Sequence, residues 1–375
     1  MTAPWPLSLA ALHVWPLRIP LHHPLRLASE TITHAETLII EAQDDEGRSG
    51  WGEASAAPTM TGEVLAGMAE VARRYLGPAL LSAPFAAPAE IAHRLDRAIR
   101  SNTGAKCATE AALLDLAARR AGLPLCDFLG QRKRDTAPCI AMIGGATDDA
   151  VLEAALAAQA QGFRHIKVKL GLRPEPRADA AMIRRLRAAL GPQAHLSGDA
   201  NMAWTLSAAR EFLAELPEGT LDYLEQPLPD DDKPGLTQLA ARTTCPICID
   251  EGLHHLSDIP AYRGIAAGFG LKSIKLGGLL PTLAADALAR EAGMRTTLAC
   301  KIAETAIGNA AALHLSVLAP EMEWGLSLTH GMIAADITET GLPFERGSAR
   351  LPRGAGIGVD PDRGKLATHA ILSRA

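Results

Sequence analysis

Between residues 164 and 275 the chain repeats one device, a short apolar run that stops on a charged residue. "RHIKVK" stops on Lys167 and Lys169, "AHLSGD" on Asp199, "LDYLE" on Glu225 and "PICIDE" on Asp250 and Glu251, while "GLKSIK" carries Lys272 and Lys275. The stops are evenly spaced, with 26 residues from Asp199 to Glu225, 25 from Glu225 to Asp250 and 22 from Asp250 to Lys272. A strand, a loop, a helix and a return loop occupy about that length. Eight apolar runs follow residue 137: "PCIAMIG", "FRHIKVK", "AHLSGDA", "LDYLEQP", "PICIDEG", "GLKSIKLGG", "MRTTLAC" and "EWGLSL". Helical stretches lie between them, for instance at 148–161, 174–190 and 281–292. Eight such units close into a (β/α)8-type barrel, an α/β fold. The alternative is an open doubly wound sheet, which usually brings a Gly-rich phosphate turn that this sequence lacks.

The first 130 residues have a different rhythm. "ALHVWPLRIPL", "ETLIIEAQD" and "RSGWGEA" read as strands, and "EVLAGMAEVARRYL", "AEIAHRLDRAIR" and "KCATEAALLDLAARRAG" place apolar residues at helical spacing. Strands followed by helices predict an α+β capping domain over 1–130. The polar linker "GQRKRDTAP" marks the boundary. The barrel is expected over 135–345, with the tail 345–375 rejoining the cap.

A net charge of −5 gives no electrostatic reason to bind nucleic acid or an anionic membrane. No apolar stretch approaches the ~20 residues of a membrane span. A small-molecule partner is expected, and a homo-oligomer. The six cysteines have no dense or regular spacing, which argues for a reducing compartment. Cys245 and Cys248, the close pair, read as small buried residues of a strand. The N-terminus has an apolar run with no basic residue before it, so it does not read as a signal peptide, and a cytoplasmic location is expected.

A barrel gives the charged stops their meaning, because its active site lies at the C-terminal ends of its strands. Carboxylates from three neighbouring strand ends would repel one another in a low-dielectric setting. A divalent cation relieves that repulsion, and all-oxygen ligation with open positions suits Mg2+. A structural ion, or a salt-bridge network with the lysines, is the other reading. Strand period 2 puts Lys167 and Lys169 on one face, the barrel interior. Lys169, nearer the mouth, could reach a substrate, and positive charge beside it favours its neutral, basic form. Alternatively both lysines pack along the wall and pair with the acids.

K-x-K on the second strand, "GDAN", "EQP" and "DEG" on the next three, and a lysine before Gly-Gly on the sixth together resemble the enolase superfamily. The subgroup is that of muconate lactonizing enzymes, within the mandelate racemase/muconate lactonizing enzyme family. "RSGWGEA", "ATEAALLDLAARRAGLPLCDFLG" and "AETAIGNAAALHL" extend the resemblance over nearly the whole chain. It implies that Asp199, Glu225 and Asp250 bind Mg2+, that Lys169 is one acid/base and that Lys167 assists it. The second base is implied five residues before the first glycine of the pair, which counts back from Gly277 to Lys272 and leaves Lys275 as the other candidate. Asn201 is similar to a residue supporting the site, and Glu304 to a glutamate near the substrate carboxylate. The capping domain is implied to supply specificity through residues 22–31 and 55–63, including Thr59. His22 and His23 read as solvent-facing.

The chemistry implied is removal of a proton α to a carboxylate through an enediolate, stabilised by Mg2+. Two lysines on opposite sides of the mouth then suit a racemase or epimerase, and equally a cycloisomerase, of a small carboxylate or N-acyl amino acid. A dehydratase of a hydroxy-carboxylate, or of a hydroxy-amino acid such as a 3-hydroxyproline, uses the same pair. A barrel that has lost catalysis and serves binding or structure is the remaining alternative. Two departures from the family bear on substrate. Where dipeptide-acting members carry Asp-x-Asp at the end of strand eight, this chain has Ser327, Leu328 and Thr329, whose hydroxyls can bind substrate without charge. "CKIAET" adds Lys301, either a solvent-facing loop lysine or a partner for an anionic substrate.

Overall fold

The computed structural model describes residues 4–26, 31–145 and 147–371. Eight parallel strands form one sheet in sequence order: Ile140–Ile143, His165–Lys169, His195–Asp199, Tyr223–Glu225, Ile247–Ile249, Gly268–Leu271, Arg295–Ala299 and Leu326–Ser327. A parallel bridge between Cys139 and Leu326 brings the eighth strand back to the first and closes the ring. Strict sequence order with helical crossovers is what a right-handed βα repeat produces. Several crossover helices start at a side-chain cap, as at Thr147, Thr205 and Asp232, which accept from the backbone N–H of Ala150, Ala208 and Gly235. The second strand, "HIKVK", is buried along its whole length. Ile166 and Val168 face the helices, so the lysines are left for the interior.

One expected strand is corrected. "GLKSIKLGG" does not continue as a strand, because the sixth strand ends at Leu271 and Ser273–Leu276 turns into a short helix. Lys272 therefore stands at the strand end, and Lys275 lies one helical turn beyond it.

The N-terminal part is a three-stranded antiparallel sheet, Leu9–Arg26, Thr31–Asp44 and Ser49–Ser55. The helix Thr103–Ala121 packs on it. The glycines of "SGWGEA" explain the close approach, since a Cβ on Gly50 or Gly52 would overlap the carbonyl oxygens of Ala112 or Ala108. Asp115 on this helix accepts from the N–H of Trp51 at 2.8 Å and of Ile357 at 2.7 Å. The boundary linker holds a short strand, Thr136–Pro138, paired antiparallel with Ser348–Arg350. Further along, Ala370 bridges to Leu17 and Arg363 bonds Glu41. The six cysteines are free thiols. Among the described residues no helix is long and apolar enough to cross a membrane.

Candidate active site

Strand register sets the site. In the parallel pairing Lys169 lies opposite Asp199, and Asp199 opposite Glu225, so three charged strand ends stand side by side on strands two, three and four. Asp250 follows the end of strand five at Ile249, and Lys272 follows the end of strand six. All five line one cavity at the C-terminal mouth, together with Lys167, Asn201, Glu251, Lys301 and Ser327. Thr59 and Met60 of the cap, with Met142, Cys300 and Ile302, complete its wall.

Three of the lysines inside pair with the strand-end acids. Lys167 donates to Glu225 at 2.5 Å, and Lys169 donates to Asp199 and to Asn201, both at 2.7 Å. Lys272 bonds the Asp250 carboxylate. Lys275 bonds the other Asp250 oxygen at 2.7 Å and the carbonyl oxygens of Asp250 and Gly270, with no exposed side-chain surface. It lies beneath the cavity wall, not in the lining, where Lys272 stands.

These pairs set the protonation states. Burial pulls the Lys272 ammonium down, but the facing Asp250 carboxylate, with Glu251 and Glu225, more than reverses this and holds it above its ordinary value. Lys167 behaves alike, with burial overcome by Glu225. Burial pushes the Asp250 carboxyl up, yet Lys272 and Lys275 hold it well below the usual carboxylate range. Glu251 is raised to about 7 by burial and by the charges of Asp250 and Asp199.

Asn201 ties the mouth together. Its backbone holds φ of 42°, a conformation Asn tolerates better than most residues. Its side chain accepts from Lys169 and donates to Glu251 at 3.0 Å.

Three other expected residues fall differently. Ser327 lines the cavity, and its buried hydroxyl lacks a hydrogen-bond partner among the described residues. Thr329 is outside the lining, and its hydroxyl donates to the Lys301 carbonyl at 2.7 Å. Glu304 lies in an adjoining cavity beside Glu53, Cys107 and Cys300. Burial and the Glu53 charge push its carboxyl up to about 8. Glu53 takes the donors there, accepting from Thr37, from the Thr305 backbone and hydroxyl, and from the Gly308 N–H. His22 and His23 are exposed, whereas residues 27–30 of the expected lid lie outside the described residues.

The donor set suits a hard divalent cation. Asp199, Glu225 and Asp250 are buried carboxylates on adjacent strand ends, and the Glu251 Oε2 beside them has no hydrogen-bond partner among the described residues. Their oxygens are drawn to the lysines, however. Among the described residues the acids whose oxygens all approach within 4.8 Å are Asp44, Asp45 and Glu46 on a turn of the cap. Arg48 and Arg120 already engage that turn.

Sequence reasoning missed Glu110. This buried glutamate of the cap helix accepts from the N–H groups of Leu279 and Leu280, the start of the helix Leu279–Glu291. A Cβ at Gly278 would overlap its carboxylate, which accounts for the second glycine of the Gly-Gly pair after Lys272. The pair itself was the available signal.

Family models match both parts of the chain: the mandelate racemase/muconate lactonizing enzyme N-terminal domain over residues 10–130, and the enolase C-terminal domain-like family over 150–365. An o-succinylbenzoate synthase from Geobacillus kaustophilus is 32% identical over 96% of this chain and 95% of its own length. The L-Ala-D/L-Glu epimerase of Bacillus subtilis is 28% identical over 92% of this chain and 94% of its own. Among solved structures, the muconate lactonizing enzyme from Pseudomonas fluorescens, complexed with muconolactone, superposes with a TM-score of 0.90 at 26% identity, covering 98% of this chain and all of that one (100%). With these matches spanning both domains and the strand-end charges gathered at one mouth, the chain belongs to the mandelate racemase/muconate lactonizing enzyme family of the enolase superfamily, as an isomerase-type enzyme of the muconate lactonizing subgroup.

Proposed function

We propose that this enzyme removes the proton α to a carboxylate, with Lys169 and Lys272 as its two acid/base groups. The products follow by racemisation, epimerisation or cycloisomerisation of a small carboxylate or N-acyl amino acid. The observation that carries this reading is the position of the two lysines. They end strands two and six, four strands apart in a ring of eight, and so flank the cavity from opposite sides.

A lysine takes a proton only as the neutral amine and gives one only as the ammonium. In a racemising turnover one of the pair starts neutral and the other charged. The first lifts the α-proton from one face, the electron pair moves into the carboxylate as the enediolate, and the second returns a proton to the opposite face. Asp199 and Asn201 aim the Lys169 nitrogen, and Asp250 aims that of Lys272. Lys167, held positive by Glu225, adds fixed charge next to the site of the developing dianion. Asp199, Glu225 and Asp250 would hold Mg2+, which when bound supplies positive charge to the same carboxylate as its α-proton leaves. Thr59 and Met60 of the cap cover the mouth, which supports a division into a cap of 1–130 with the tail 345–375, and a catalytic barrel of 135–345.

The test is a library of N-acyl amino acids, muconates, hydroxyprolines and acid sugars incubated with enzyme and Mg2+ in D2O. At least one member should exchange its α-proton or turn over, and the Lys169→Ala, Lys272→Ala double variant should do neither. Retained exchange in that variant would remove the lysines from the chemistry.

A further inference from the structure

We propose that Glu63, at the end of the lid loop 55–63, is a positioning residue for Lys272. Through the cap helix Thr103–Ala121 and Glu110 it ties the loop that covers the mouth to the turn that carries this lysine. This deepens the proposed function and rests on it for the role of Lys272 as an acid/base group.

The helix Thr103–Ala121 begins without a cap of its own. Asn102, at the capping position, holds φ of 54°, and its side chain makes no capping bond, donating instead to the Arg100 carbonyl at 2.7 Å. A helix start leaves its first N–H groups without an internal partner. Glu63 supplies one here, its carboxylate accepting from Gly104 at 2.7 Å and from Ala105 at 3.1 Å. Glu63 is buried, and a Cβ on Gly104 would stand 2.9 Å from its Oε2, so the glycine makes room for the carboxylate. The helix Leu279–Glu291 repeats the arrangement. Gly278 offers it no side chain, and Glu110, roughly two turns along the cap helix, caps it instead. The lid loop thus caps the cap helix, and the cap helix caps the barrel helix that follows Lys272.

Both ends of this series lie at the reacting centre. At one end the Ala57 N–H donates to the Glu63 carbonyl across the lid loop at 3.1 Å, and Thr59 and Met60 between them line the catalytic cavity. At the other, the Gly277 N–H bonds the Ser273 carbonyl at 2.9 Å and closes the turn that starts at Lys272, with Thr103 of the cap helix beside Gly277. A displacement of the lid is passed through two buried carboxyl-to-N–H contacts and one helix to the turn beneath Lys272. Lys169 has no such tie, since its partners Asp199 and Asn201 belong to the barrel. The cap therefore governs one acid/base group and not the other. Misplacing a reacting group by about 1 Å can cost on the order of a hundredfold in rate, so the asymmetry is measurable.

Glu63→Ala and Glu63→Gln test the link in the full chain, with folding checked by thermal melts. The first readout is amide hydrogen exchange by mass spectrometry, without substrate. Glu63→Ala should speed exchange about tenfold or more in segment 277–284 as well as in 103–108, and leave strand two, 165–169, unchanged. The second readout is α-proton exchange in D2O from each enantiomer of the best chiral library substrate, with Lys272→Ala marking the enantiomer that Lys272 serves. Glu63→Ala should lose about tenfold or more on that enantiomer and less than about twofold on the other. Glu63→Gln keeps one acceptor oxygen and should show both effects in smaller measure, and it is the variant read if Glu63→Ala does not fold. Faster amide exchange confined to 103–108, or equal loss from both enantiomers, overturns the proposal. If no library member exchanges its α-proton with wild-type enzyme, the proposed reaction is overturned, and the amide readout alone decides whether the lid and the Lys272 turn are linked.

Discussion

Glu110 joins the cap to the loop that carries Lys272, and its removal has a calculable cost. In Glu110→Ala the N–H groups of buried Leu279 and half-buried Leu280 lose their shared acceptor. An unsatisfied buried donor costs about 1–3 kcal/mol. Two of them, beside a new void, should destabilise the protein by roughly 3–5 kcal/mol. Glu110→Gln keeps an acceptor oxygen and should cost about 1 kcal/mol at pH 5. The two substitutions also differ in their response to pH. Burial holds the Glu110 carboxyl at about 8, against 4.5 for an unperturbed glutamate. The folded state therefore binds this proton more tightly than the unfolded chain. The associated stability is complete below about pH 4.5 and lost as pH rises through 8, amounting to about 5 kcal/mol in all. Glutamine carries no such proton, so Glu110→Gln should be the less stable protein at pH 5 and the more stable one at pH 9. Urea unfolding at pH 5, 7 and 9 measures this. A wild-type-minus-Gln difference that stays constant across those pH values, or a Glu110→Ala cost below about 0.5 kcal/mol, would refute the reasoning.

Other consequences follow from the same structure. His314 is buried and neutral, its Nδ1 accepting from the Cys126 N–H and its Nε2 donating to the Ile357 carbonyl. Burial pulls its pKa from 6.5 down to about 4, so stability from this group is present above pH 6.5 and falls by on the order of 3 kcal/mol as pH drops toward 4. His314→Gln should flatten that part of the pH profile, and an unchanged slope would count against the assignment. Exhaustive chelation should abolish activity and Mg2+ restore it, with Glu225→Gln weakening calorimetric Mg2+ binding; full activity without metal would remove the cation from the account. The four acids of the cavity are engaged by Lys167, Lys169, Lys272 and Asn201, and Ser327 is uncharged, so a free ammonium at the end of strand eight has no dedicated carboxylate. L-Ala-L-Glu should therefore fall at least about a hundredfold below the best substrate in kcat/KM, a loss of about 2.7 kcal/mol. A preference for the dipeptide over its N-acetyl form would show that another acid, such as Glu251, receives the amine.

The barrel and its mouth were legible because both depend on local pattern. Buried parallel strands need apolar runs, and the barrel's geometry puts the polar exceptions at strand ends, so Asp199, Glu225, Asp250 and the two lysines of "HIKVK" stand out. "SIKL" was misread because four residues of mixed polarity fit period 2 and period 3.6 equally, and the glycines that end the turn are what favour a helix there. The burial of Lys301 is not legible in the sequence, because the pattern within a loop does not report what packs over it. Glu110, Glu53 and His314 carry no sequence signal of their own. Each is a polar residue in a helical or strand-like run whose partners lie far along the chain: Leu279 for Glu110, Thr305 for Glu53 and Cys126 for His314. Such contacts exist only once the two parts have docked.

The central claim is that Lys169 and Lys272 work opposite faces of one substrate. It is tested most directly by following α-proton exchange in D2O, by NMR, for each separate enantiomer of the best chiral substrate with wild-type, Lys169→Ala and Lys272→Ala proteins. Wild-type enzyme should exchange both enantiomers, Lys169→Ala should lose exchange from one, and Lys272→Ala from the other. Equal loss from both enantiomers in each variant, or full exchange by Lys272→Ala alongside an inactive Lys275→Ala, would contradict the account.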